Sequence, residues 1–336
     1  MRRLLLTCLV ACALLGDTLG SSARANTFGA GFLDLALTDP VEGGPMPAIV
    51  FYPAQAQGAA TWRGPFTIDA ASSVAPAPGP FALIVFSHGT GGSNLGHHDS
   101  LAALARAGFV AAAVEHPRDN FRDDSGFATD LQLIGRPHHI VALVDGVLAH
   151  ATIGRLIDHD RIGMVGHSAG GYTALLIAGA VPNFALQDEY RRAVPVDPMR
   201  KRADAVSQER RRPGLAYVAD ARVKAIVLMA PALGYVFDRA GLAKVQVPVR
   251  LYRPSADEIL AHPWNAERIA QMLPTPPEYE VLDRAGHFVF LAPCPTLFAL
   301  RLPAICRDAP GIDRAAIHER LNAEMTAFFR RTLAPK

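Results

Sequence analysis

Several things are scarce in this 336-residue sequence, and each scarcity excludes something. Net charge is the first: 33 lysines and arginines face 31 aspartates and glutamates. A nucleic-acid partner would call for a strongly basic face, so none is expected. Long apolar runs are the second, because the most apolar stretch, Leu4 to Leu15, falls well short of the roughly 20 residues of a spanning helix. No stable membrane span is expected. Cysteine is the third, with four residues in all. Internal repeats and low-complexity tails are missing altogether, and with half the residues hydrophobic, core burial is not limiting. One large α/β domain is the expectation.

The first 25 residues read as an export signal: Arg2-Arg3, the apolar core from Leu4 to Leu15, then Ala23-Arg24-Ala25 as a small-x-small cleavage site. The mature chain would start at Asn26, in the periplasm or outside the cell. Leu9-Val10-Ala11-Cys12 resembles a lipoprotein box but sits early in the apolar core. Cys8 and Cys12 would leave with the signal. The remaining pair, Cys294 and Cys306, is expected to form a disulfide rather than a metal site, the bland alternative being two separately buried thiols.

Along residues 26–336, strand and helix patterns alternate. Phe28 to Leu37 and Met46 to Tyr52 look like opening strands, and residues 53–80 like a Pro, Ala and Gly-rich connection. Phe81 to Phe86 and Phe109 to Val114 are continuous apolar runs, the pattern of strands covered on both faces. A helix near Ser100 to Ala107 lies between them. The polar loop Glu115 to Asp130 leads to a helical pattern over Leu131 to Ala149, interrupted early by Pro137. Later strands are expected at Val223 to Met229, Val247 to Tyr252 and Tyr279 to Leu282, with helices at Trp264 to Leu273 and Arg314 to Thr332. Such alternation implies parallel strands joined by crossover helices. Residues 182–222 break the texture, being rich in charge without a strand pattern. They read as an insertion whose basic runs are solvated helix faces, or as a cap over an active site.

The most informative stretch is Arg161-Ile162-Gly163-Met164-Val165-Gly166-His167-Ser168-Ala169-Gly170-Gly171, an apolar strand entering a Gly-x-Ser-x-Gly turn. Tyr172 to Gly179 continues at helical spacing. A sharp strand-turn-helix of this kind is a nucleophile elbow, with glycine on both sides leaving room for strand and helix to close. Ser168 is then the candidate nucleophile, and it needs a base. His287, in Asp283-Arg284-Ala285-Gly286-His287-Phe288 just past the last strand, is the best placed. For the acid that orients it, Asp257 is preferred over its neighbour Glu258 and over Asp283, which lies too close in sequence to His287. Oxyanion donors are expected from the backbone N–H of Ala169, directly after the serine, and of Thr90 in His88-Gly89-Thr90-Gly91-Gly92. That glycine loop could instead cradle phosphate, but it lacks the Lys-Ser/Thr ending of a P-loop and does not match G-x-G-x-x-G. His88 and His167 are expected to serve structure. His97-His98 has no third ligand spaced near it, so no metal is expected.

With these residues assembled, the sequence resembles the α/β-hydrolase superfamily. Within it, the likeness is to bacterial predicted dienelactone hydrolases related to platelet-activating factor acetylhydrolase. The matching pieces are residues 85–93, residues 160–171 and Ala285-Gly286-His287-Phe288, with similarity spread from about residue 28 to 331. The resemblance implies a serine esterase for small or short-chain esters, needing no cofactor, with Thr90 and Ala169 as the oxyanion donors. Two departures limit it. True dienelactone hydrolases use a cysteine where this chain has Ser168, and Ala256-Asp257-Glu258 lacks the glycine often found before the aspartate. A peptidase or amidase with the same triad and a non-catalytic binding protein on the same fold are the competing readings.

Overall fold

The apolar runs become the interior strands of a sheet, because helices cover both of its faces. A computed structural model describes residues 28–206 and 212–335. The expected export signal, residues 1–25 with Cys8 and Cys12, lies outside them. Eleven strands occur among the described residues: β1 (Gly29–Thr38), β2 (Pro45–Ala54), β3 (Thr61–Arg63), β4 (Phe66–Ile68), β5 (Ala71–Ser72), β6 (Phe81–Ser87), β7 (Phe109–Val114), β8 (Ile157–His167), β9 (Val223–Met229), β10 (Val249–Pro254) and β11 (Glu278–Leu282). Nine of them form one sheet in the order β11-β10-β9-β8-β6-β7-β2-β1-β5. From β7 through β11 every pairing is parallel, whereas β2 runs antiparallel to both β1 and β7. The fold is therefore the expected mostly parallel α/β sheet.

The helices are α1 (His98–Arg106), α2 (Arg136–Ala149), α3 (Ala169–Ile177), α4 (Gln187–Ala193), α5 (Pro198–Val206), α6 (Arg239–Leu242), α7 (Ala266–Met272), α8 (Thr296–Arg301), α9 (Pro303–Cys306) and α10 (Arg314–Thr332). On one face of the sheet, Ile140, Leu143 and Val147 of α2 and Leu175 and Leu176 of α3 pack on Leu83 and Val85 of β6. On the other, Leu104 of α1 and Leu321, Met325, Phe328 and Phe329 of α10 pack on Ile84 and Phe86. Alternate residues of β6 thus enter two separate cores, which is why its sequence cannot alternate polar with apolar. Each large side chain buried in this way contributes roughly 1.5–3 kcal/mol of transfer free energy. Among the described residues, no helix is long and apolar enough to cross a membrane.

Local departures from the expected pattern have simple causes. The 53–80 connection contains a small hairpin, β3 with β4, and the two-residue pairing strand β5. Strands of two or three residues are too short for a period of two to register. The helical pattern over residues 131–149 is interrupted early, as expected: a π-helical turn at Leu131–Gly135 runs directly into α2, which carries Pro137 in its first turn. Residues 182–222 hold α4 and α5 and no strand among the described residues. Cys294 and Cys306 are joined by a disulfide that spans α8 and α9.

Candidate active site

Thr90, Ser168, Asp257 and His287 follow β6, β8, β10 and β11, all at the carboxyl ends of parallel strands, the side on which open α/β sheets place their sites. At the end of β8 the chain reverses into α3 through Ser168, whose φ of +53° and ψ of −118° are unfavourable for a side chain with a Cβ. Neighbouring strands hold it there. Its N–H donates to the Met229 carbonyl at 2.9 Å, and its carbonyl accepts from Ala232 at 3.0 Å and Gly171 at 2.9 Å. The flanking glycines are compulsory: a Cβ on Gly166 would stand 2.1 Å from the Gly170 carbonyl oxygen, and one on Gly170 would stand 1.9 Å from that of Ser87. Ala169 opens α3, so its amide is among those left without an intrahelical acceptor.

His287 opens a 3₁₀ turn just beyond β11. Its side chain is buried, and its Nδ1 lies 2.9 Å from Asp257 Oδ2. The other oxygen of Asp257 accepts the amides of Ile259 at 2.9 Å and Leu260 at 2.8 Å. Glu258 does something different: its Oε2 accepts the backbone N–H of His287 at 2.9 Å. The two adjacent carboxylates thus divide the histidine, one meeting the ring and the other the main chain. Asp283 is highly exposed and faces Ser255 and Arg284.

The His167 ring, one residue before Ser168, lies 5.0 Å from the His287 ring and donates through Nε2 to the His287 carbonyl at 3.3 Å. Complete burial, reinforced by the neighbouring His287 and His97, pushes its pKa well below 6.5. It is a neutral platform under His287. His88 is also neutral for reasons of burial, with the charge of Arg136 adding to the effect. Its Nδ1–H donates to the Gly89 carbonyl at 2.7 Å and its Nε2 accepts the His116 amide at 3.1 Å. Both histidines of the glycine motifs are spent on shaping the backbone. His97 donates through Nδ1 to the Phe290 carbonyl at 2.9 Å, and burial lowers its pKa to about 4. Among the described residues, no group of three or more His, Cys, Asp or Glu side chains has the arrangement to hold a metal ion.

Ser168, Ala169 and Thr90 line one cavity of about 880 Å³, within the usual range for small-molecule sites. The 182–222 segment forms much of its wall, through residues such as Phe184, Tyr190 and Met199. Tyr190 stacks on Tyr235 with centroids 3.9 Å apart, and Trp264 meets Tyr190 edge-on at 5.7 Å. Several described arginines of this segment are paired: Arg191 with Asp204, Arg212 with Asp130 and Glu42, and Arg202 with Asp124. Several polar residues behind Thr90, namely Asp119, Gln132 and Arg136, are not among the sequence-derived candidates. A signal for one of them exists: Arg136 and His139 fall on the same helical stripe as Ile140 and Leu143, and a charge on an apolar stripe marks a buried polar partner.

A protein-family model described as the alpha/beta hydrolase family matches residues 84–300. Among solved structures, a ferulic acid esterase from Streptomyces cinnamoneus superposes with a TM-score of 0.61, covering 94% of this chain and 92% of that one at 19% sequence identity. No curated protein matches the sequence. At that identity the structural likeness speaks to the fold, and the chemistry has to be argued from the site itself.

Proposed function

Because this chain belongs to the alpha/beta hydrolase family, we propose that it is an exported serine hydrolase cleaving carboxylic esters through an acyl-enzyme. The observation that carries the reading is the 2.9 Å contact of Asp257 with His287 Nδ1, on a histidine whose ring lies 5.0 Å from that of His167, the residue before a strained serine that opens on a cavity. Ser168 Oγ attacks the acyl carbon while His287 takes its proton at Nε2. Asp257 keeps the proton of Nδ1 in place and stabilises the imidazolium. The negative charge on the carbonyl oxygen is met by the amides of Thr90 and Ala169, which need no reorganisation as it develops. His287 then returns the proton to the departing alcohol. A water, deprotonated by the same imidazole, releases the acid and restores Ser168.

Small or short-chain acyl groups are the first substrate class. The aromatic side chains lining the cavity, Tyr190 and Tyr235 among them, favour esters carrying an aromatic ring as a second. The disulfide supports export to an oxidising compartment. The 182–222 segment acts as a cap that shapes the pocket. A fluorophosphonate probe is expected to label the wild type and not Ser168→Ala. Folded wild-type protein that stays unlabelled would overturn the proposal in favour of a binding protein. Nitrophenyl esters of increasing chain length, set against matched anilides, separate an esterase from an amidase and rank acyl groups.

A further inference from the structure

Behind Thr90 lies a buried polar cluster that takes no part in the steps above. Arg136, at the start of α2, and Asp119, from the 115–130 loop, have side chains only 1% exposed and meet at 2.7 Å. Arg136 also donates to Ser87 Oγ at 3.2 Å and to the His88 carbonyl. Asp119 reaches toward the glycine loop: Oδ1 accepts the Gly91 amide at 3.3 Å and Oδ2 accepts Gln132 Nε2 at 2.9 Å. The same Gln132 Nε2 donates to Thr90 Oγ1 at 2.8 Å, while Gln132 Oε1 accepts the Ala128 amide at 2.9 Å. The backbone before Thr90, the backbone after it and its own side chain are therefore all tied to one ion pair.

The ion pair is itself anchored. The Ser87 hydroxyl donates to His116 Nε2 at 2.9 Å, His116 Nδ1 to His139 Nδ1 at 3.1 Å, and His139 Nε2 to Asp39 at 3.2 Å. With both imidazoles neutral, every proton in this chain runs one way, from Arg136 to Asp39, and each ring donates once and accepts once. Burial, aided by the charge of Arg136, keeps both histidines below their ordinary pKa. The loop needs such a frame. Gly89, Gly91 and Gly92 leave its backbone free to turn, whereas an oxyanion donor works only if aimed before the charge appears.

We propose that Gln132, backed by the Asp119–Arg136 pair, is a positioning residue that aims the Thr90 amide at the oxyanion. It rests on the ester-hydrolase reading above. Gln132 lies on the π-helical turn Leu131–Gly135 and on the cavity wall beside Thr90, and inserted π turns are frequent at functional sites. Removing Arg136 would strand Asp119 in the interior, so Gln132→Met, of similar length but unable to hydrogen-bond, is the informative variant.

With nitrophenyl acetate, Gln132→Met is expected to lower kcat about 10- to 100-fold, less than losing an oxyanion donor outright, with KM within about threefold. A phenylboronic acid supplies a second readout, since Ser168 Oγ bonds to boron, its proton passes to His287, and a boronate oxygen occupies the oxyanion position. Its affinity should weaken by the same factor as kcat/KM. Thr90→Ala removes the same contact, so the double variant should fall no further than the worse single. Additive losses, a raised KM at unchanged kcat, or full kcat in Gln132→Met with an active wild type would each overturn this inference alone. A wild type that neither hydrolyses esters nor takes the fluorophosphonate would overturn the hydrolase reading as well.

Discussion

Replacing Asp257 by asparagine is expected to lower kcat by about 10⁴-fold, or about 5 kcal/mol of barrier, and the structure supplies the reason. Asp257 Oδ1 accepts two backbone amides, from Ile259 at 2.9 Å and Leu260 at 2.8 Å, so an asparagine must keep its oxygen there. The alternative flip points an NH₂ group at two N–H donors and leaves both unpaired, at about 1–3 kcal/mol each. With the oxygen retained, the NH₂ faces His287 Nδ1, which can then only accept. The ring proton moves to Nε2, the atom that should take the proton of Ser168, and the base is lost with little change in shape. Glu258→Gln has no such consequence, because Glu258 accepts the His287 backbone amide and a glutamine oxygen accepts it equally well. Its activity should stay within about tenfold of wild type, the worth of one hydrogen bond. Steady-state hydrolysis of a nitrophenyl ester, with thermal melts to verify folding, compares the two. Near-normal turnover in Asp257→Asn, or a larger loss in Glu258→Gln, would refute the assignment of the acid.

Three further predictions concern stability. His88, His116 and His167 are buried with pKa values depressed well below 6.5. Below that pH the unfolded chain binds protons that the native state refuses, so stability is lost as pH falls, by up to about 1.4 kcal/mol per unit for each. His318 carries the opposite sign: burial opposes its charge, but Asp99 at 2.5 Å and the Val289 carbonyl at 2.8 Å outweigh it and raise its pKa. Its contribution is complete below 6.5 and fades as pH rises through the raised value. The difference in melting temperature between wild type and His318→Gln should therefore shrink as pH rises from 6 to 9, and a constant difference would count against a charged His318. The Cys294–Cys306 bridge closes a short ring, 12 residues apart in sequence, worth about 3 kcal/mol in the chain-entropy model. Non-reducing mass spectrometry should find the two peptides joined, and reduction should lower the melting temperature. Two free thiols would discard the bridge.

Much of this site is legible in the sequence because its requirements are local. The sharp turn at Ser168 demands Gly166 and Gly170 within two residues. A Cβ at either position would lie only 2.1 or 1.9 Å from a carbonyl oxygen, so no other residue can substitute. The strands Phe81–Ser87 and Val223–Met229 declare themselves through unbroken apolar runs, since helices on both faces reward every side chain. The hairpin inside residues 53–80 does not, having three-residue strands and only one pairing partner each.

The choice between Asp257 and Glu258 depends on what each meets. Neighbours in the chain, they face different atoms of His287 only because β10 and β11 lie side by side in the sheet. The frame behind Thr90 is further from view, for Gln132 stands 42 residues from Thr90, and Arg136 stands 17 from Asp119. Backbone geometry and burial pattern are short-range properties and can be written into a few consecutive residues. Polar partnership in the interior has no such shorthand, because a buried charge is satisfied by whichever group the finished packing delivers to it.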